Sequence, residues 1–169
     1  MLALLLLAAT ASFDLDFAHV PEWLEARAKP EQTLHGISLH EPIGAVKKRL
    51  GKPESVKPGE DVYATYVWRG REIVIEVETI GSAKKEQVLS VTVKSDGPEA
   101  DAKTSRGVHL GGTLDDLIRA YGSRYHIEYD KSYPDGLAVI FTFSDESQVR
   151  AVVNDEGRII ALEIMESLD

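Results

Sequence analysis

The chain has 169 residues, 43% of them apolar and 28% charged, which excludes a disordered polypeptide and suits one ordinary domain or two small ones packed together. With 28 acidic against 19 basic residues the net charge is −9, and no basic run is longer than Lys47-Lys48-Arg49, so nucleic-acid binding is not expected. The absence of cysteine excludes disulfides, thiolate metal sites, cysteine nucleophiles and a lipid-bearing Cys.

In chain order, an apolar run from Leu2 to Ala9 leads into Ala9-Thr10-Ala11, a small-x-small pattern of the kind at which signal peptides are cleaved. The run is about half of the ~20 residues a spanning helix needs. Residues 1–11 therefore read as a signal peptide, although no Lys or Arg precedes the run; an apolar first strand or helix is the alternative. On the first reading the mature protein is secreted or periplasmic, with no stable membrane insertion. Residues 12–32 form an N-terminal extension, with a short helix expected over 20–28 that offers Val20, Trp23 and Leu24 for packing.

From residue 33 the chain echoes itself at a spacing of 71 positions. Thr33, Gly36, Leu39 and Gly51 meet Thr104, Gly107, Leu110 and Gly122, while Ile43 and Val46 meet Leu114 and Leu117. Each copy predicts a turn, a two-turn helix and a glycine stop. Ile43, Val46 and Leu50 share a helix face, as do Leu114, Leu117 and Tyr121. Pro42 suits a first helical turn, Thr113 with Asp116 suits a capping box, and the glycines suit left-handed caps. Alternating apolar and polar residues then predict strands over 62–68, 72–79 and 88–94 in the first copy. The second copy predicts strands over 125–131, 137–144, 148–154 and 158–165, separated by turn formers at 134–136, 144–147 and 154–157. The expected fold is α+β: two tandem units, 33–94 and 104–169, joined by a polar linker at 95–103. Each unit is a short helix packed on a three- or four-stranded antiparallel meander.

The repeated pattern of a Gly-x-x-Leu turn, a short helix closed by glycine and a meander resembles the β-lactamase-inhibitory-protein type of fold. It is similar too to the single-unit SmpA/OmlA family of outer-membrane assembly proteins. Gly36, Leu39, Ile43, Val46, Leu50, Gly51 and Pro53 carry the likeness in the first unit, and Gly107, Leu110, Leu114, Leu117, Tyr121 and Gly122 in the second. Arg124 stands where the pattern has Pro, and the lipid-bearing Cys is missing. The resemblance implies a protein-binding module outside the cytoplasm.

No constellation of catalytic residues is visible. His19, His35, His40, His109 and His126 lack the helical spacing of a zinc motif and read as surface or turn residues. There is no Gly-x-Ser-x-Gly elbow, and the glycines of "GVHLGG" match the structural turn of the first copy. Glu76 and Glu78 share one side of a strand, as a solvated face or as an acidic patch for a basic partner. Tyr66 and Trp68 share a face of the neighbouring strand, where they are interface anchors on the open side of the sheet or part of the core; the sequence leaves both open. The expectation is an exported, non-enzymatic protein-binding module using Tyr66, Trp68, Glu76 and Glu78, with no catalytic residue, metal or cofactor. Two alternatives stand beside it. One is an envelope-assembly factor without a lipid anchor. The other is a small extracytoplasmic hydrolase, which needs a concave pocket holding two carboxylates, or a carboxylate and a His, with shifted pKa values.

Overall fold

A computed structural model describes residues 30–59, 64–82, 85–133, 136–143 and 147–166. The expected signal peptide at 1–11 and helix at 20–28 lie outside the described residues. A two-stranded hairpin of β1 (Thr33–Leu34) and β2 (Ile37–Ser38) leads into helix α1 (Ile43–Leu50). Strands β3 (Ser55–Pro58), β4 (Ala64–Arg69), β5 (Ile73–Ile80) and β6 (Gln87–Ser95) follow. Helix α2 (Leu114–Tyr121) precedes β7 (His126–Tyr129), β8 (Leu137–Phe143), β9 (Ser147–Val153) and β10 (Ile159–Glu166).

The expected pair of separate helix-plus-meander units is not what forms. All eight long strands belong to one antiparallel sheet, ordered β3-β4-β5-β6-β10-β9-β8-β7, and the molecule is predominantly β with only two eight-residue helices among the described residues. The reason is the seam. β6 pairs directly with β10, from Ala161 opposite Lys94 to Met165 opposite Ser90, so the ladder runs unbroken through the middle of the molecule. Two small sheets would each expose an extra edge; joining them satisfies the backbone groups of both.

Period-two alternation assigns every strand residue to one of two faces. Trp68, Ile75, Val93, Leu162, Ala151 and Val139 stand opposite one another across six strands, as do Tyr66, Val77, Val91, Ile164, Val149 and Phe141. These two rows form the floor of one core. α1 covers it at β4, where the Trp68 indole N–H donates to Gly51 O at 3.0 Å and the Lys47 ammonium lies 4.1 Å from the Tyr66 ring centroid. α2 covers it at β8, with Tyr121 against Phe141 and Phe143 at 5.4 and 5.6 Å between ring centroids. The β1–β2 hairpin fills the middle with Leu34 and Ile37, both fully buried.

Local chemistry sets the helix ends. Thr113 and Asp116 form a reciprocal capping box on α2, whereas α1 has Pro42 at its N-cap and no side-chain cap. Lys47, Lys48 and Arg49 suit the negative end of the α1 dipole. Gly51 and Gly122 stop the helices at φ 82° and 90° but with ψ −162° and −172°. That is an extended region open essentially to glycine alone, not the left-handed helical cap expected.

Candidate binding face

The second face of the sheet carries the polar members of each alternation. Glu76, Thr92, Glu163, Arg150, Ile140 and His126 form one row across β5, β6, β10, β9, β8 and β7. Beside it run Lys94, Ala161, Val152 and Ala138. Val152 and Ala161 floor a depression, and Asp130, Ser132 and Tyr133 from the turn after β7 fold over it. The result is a hollow of about 180 Å³ bordered by Glu76, Glu78, Lys94, Arg150, Glu163 and Tyr133.

Tyr133 reaches this position because Gly136 lets the chain pass close: a Cβ there would stand 2.7 Å from Tyr133 Cβ and 2.8 Å from Val152 Cγ1. The Tyr133 hydroxyl is buried and has no hydrogen-bond partner among the described residues. Burial, then the charges of Asp130 and Glu76, push its pKa up to about 12.

Arg150 organises the charges. Its Nη2 lies 2.6 Å from Asp130 Oδ2, its Nη1 3.5 Å from Glu163 Oε2, and its Nε 4.0 Å from Glu128 Oε1. Lys94 Nζ pairs with Glu76 Oε2 at 2.7 Å, and Ser90 Oγ donates to Glu78 Oε2 at 3.3 Å. Of the carboxylates on Arg150, Asp130 and Glu163 are driven in opposite directions. Burial raises Asp130, but the Ser132 N–H at 2.8 Å and then the guanidinium outweigh it and hold the group below the usual carboxylate range. Burial lifts Glu163 above that range; Arg150 and Thr92 pull it down by less, and the Glu78 charge adds to the rise.

The four side chains expected to bind a partner are divided between the two faces. Glu76 and Glu78 border the hollow. Tyr66 and Trp68 are each only 6% exposed and lie in the core beneath α1, so neither presents an anchor to a partner. Tyr66 instead donates to Glu86 Oε2 at 2.8 Å, and burial followed by Glu86 pushes its pKa up to about 12. The sequence had left open which way that strand turns; the packing of Trp68 on Gly51 decides it. Arg150, Asp130, Lys94, Glu163 and Tyr133 were not anticipated. Extending the alternation argument from β5 to "SQVRAVV" in β9 and "IIALEIME" in β10 places Arg150 and Glu163 on the same side as Glu76. Asp130 and Tyr133 come from a turn whose path carries no such signal. His35 and His40 occupy turns at φ 50° and 64°. No group of three His, Asp or Glu side chains among the described residues is gathered to hold a metal ion, and no helix among them is long and apolar enough to cross a membrane.

No protein-family model and no curated protein matches the chain. Solved structures with a similar fold include the following two. A cysteine-rich secretory protein from Staphylococcus aureus subsp. aureus Mu50 superposes with a TM-score of 0.52 at 13% identity, covering 76% of this chain and 44% of its own. This chain thus spans less than half the length of that protein. A DUF4309 family protein, YjgB, from Bacillus subtilis subsp. subtilis strain 168 gives 0.54 at 14% identity, covering 85% of this chain and 93% of its own. At such identities the likeness extends to fold alone, and this chain has no cysteine at all. Neither neighbour is described as a β-lactamase-inhibitory or SmpA/OmlA protein.

Proposed function

We propose that the protein is an exported, non-enzymatic binding module that takes a basic segment of a protein partner on the face of the sheet opposite the helices. One observation carries this reading. Around a hollow in that face stand four carboxylates, Glu76, Glu78, Asp130 and Glu163, against two cations among the described residues, Lys94 and Arg150, and a fifth carboxylate, Glu128, lies 4.0 Å from Arg150. The cations are already engaged, while Glu78 accepts only the weak Ser90 bond among the described residues. A Lys or Arg side chain entering the hollow meets unspent negative charge and the lone pairs of the Tyr133 oxygen. The net charge of −9 adds long-range attraction for such a partner. Export rests on the apolar run and small-x-small pattern at the start of the chain.

Calorimetric titration with a lysine-rich peptide and its glutamate counterpart tests the proposal. The basic peptide binds, added salt weakens it, and Glu78→Lys lowers its affinity about tenfold, as loss of one charge-assisted contact implies. Equal binding of both peptides, or none of either, overturns it.

A second reading has its own support. Two carboxylates on one guanidinium, one raised and one lowered, match the division between a proton donor and an ionised partner in acid–base catalysis. Hydrolysis of peptide or cell-wall material that Glu163→Gln abolishes without loss of fold would establish that reading over the first.

A further inference from the structure

The two edges of the sheet are built differently. At one end β3 closes with Lys57 and Pro58, residues that discourage a further strand from pairing. At the other end β7 has neither. All four of its residues are exposed; on its helix side Ile127 and Tyr129 are 51% and 62% exposed, and Leu137, opposite Tyr129 on β8, is 48% exposed. These apolar side chains lie at an edge with no further strand among the described residues.

The backbone phase adds a second feature. Asp130 N–H donates to Gly136 O at 3.2 Å, so Asp130 is a hydrogen-bonded position against β8. In an antiparallel ladder such positions recur every second residue, which makes Glu128 and His126 bonded to β8 and turns the N–H and C=O of Ile127 away from it. The backbone groups that face outward thus belong to the residue with the exposed apolar side chain.

We propose that this edge pairs with β7 of a second copy of the chain, antiparallel and centred on Ile127, so that two sheets become one. The strand is complementary to itself in that register. Ile127 meets Ile127 of the partner subunit with both backbone bonds exchanged, and the exposed aliphatic and aromatic side chains of the two copies meet on one face. On the other face His126 of each copy stands opposite Glu128 of the other, a donor against an acceptor. Centring on Glu128 instead keeps the backbone in phase but sets Glu128 against Glu128 of the partner subunit, and centring on His126 sets His126 against His126 of the partner subunit, so either register loses the complementary pair. A two-fold axis through Ile127 closes the pair, so growth stops at a dimer, and the protected β3 edge ends each half. Both hollows then open on the same side.

Because the protein contains no cysteine, single substitutions read the contact directly. Facing residues of a bonded antiparallel pair lie about 5.5 Å apart at Cα, within the span of roughly 4.4–6.8 Å that a disulfide bridges. Under mild oxidation Ile127→Cys gives a covalent dimer, whereas Val56→Cys, 50% exposed on β3, does not. In sedimentation velocity across a concentration series the unmodified protein dimerises. His126→Glu, which sets two carboxylates opposite each other, raises the dissociation constant about tenfold, and adding Glu128→Lys restores it. Circular dichroism checks that each variant is folded. A protein monomeric at every concentration overturns the proposal, and so does a dimer indifferent to His126→Glu or cross-linking equal at the two edges.

Discussion

Replacing Arg150 by Met tests whether the guanidinium holds the charged face together. Its closest partner, Asp130, has a side chain only 4% exposed, and Arg150 itself is 23% exposed. Removing one member of a buried pair costs about 3–5 kcal/mol, because the other charge stays behind without its counterion. Two features reduce that figure. Water reaches the guanidinium, and Asp130 keeps the Ser132 N–H at 2.8 Å. We expect a loss of about 2–3 kcal/mol at neutral pH, a large share of a stability of about 5–15 kcal/mol. Urea unfolding followed by circular dichroism measures it. The sign of the pH dependence follows from Asp130, whose folded pKa lies below its unfolded value. Its contribution is present above the unfolded carboxylate range, near about 3.9, and is lost as the pH falls through the depressed folded value. Arg150→Met removes part of that contribution, so the gap between variant and parent narrows below about pH 4. A penalty under about 0.5 kcal/mol, within the range of an exposed pair, would refute the reasoning, as would a gap that acid leaves unchanged.

Three further outcomes follow from the packing. Gly136→Ala drives a methyl group into Tyr133 and Val152 and is expected to cost about 1–3 kcal/mol, read as a lowered Tm, while weakening peptide binding at the hollow that Tyr133 roofs. Trp68→Phe forfeits the bond to Gly51 O and should cost about 1 kcal/mol by chemical denaturation; no change would mean that α1 is not held there. Glu163→Gln acts in the opposite sense from Arg150→Met. The raised pKa of Glu163 means that its stabilising contribution is present below the unfolded carboxylate range and lost as the pH rises through the folded value. The amide has no such loss, so its stability relative to the parent rises with pH, and a flat difference between acid and neutral pH would contradict this.

Much of the secondary structure was legible because side-chain period is a local property. The alternation in "IVIEVE" places Ile75 and Val77 against the helices and Glu76 and Glu78 away from them, as the register of β5 does. The spacing of Thr113 and Asp116 likewise marks the start of α2. The short edge strand β3 was missed, since four exposed residues ending in Pro58 show no alternation toward a core. The union of two meanders into one sheet was equally invisible. Whether Val93 faces Leu162 or solvent is decided by a pairing between residues far apart in sequence, and period does not encode a partner. For the site, the acidic pair could be read but its cations could not. Arg150 and Lys94 sit on strands adjacent to carboxylates only after folding, and Tyr133 arrives through a turn made possible by Gly136.

The place of β10 at the centre, and not the rim, has a consequence for how the molecule is made. It is the last strand to leave the ribosome among those described, yet it must enter between β6 and β9, holding Lys94 against Ala161 on one side and Arg150 against Glu163 on the other. Until it arrives, both β6 and β9 present raw borders, so a nascent chain has a window in which chaperone capture or mispairing competes with completion, and any truncation before Ile159 leaves that window permanently open.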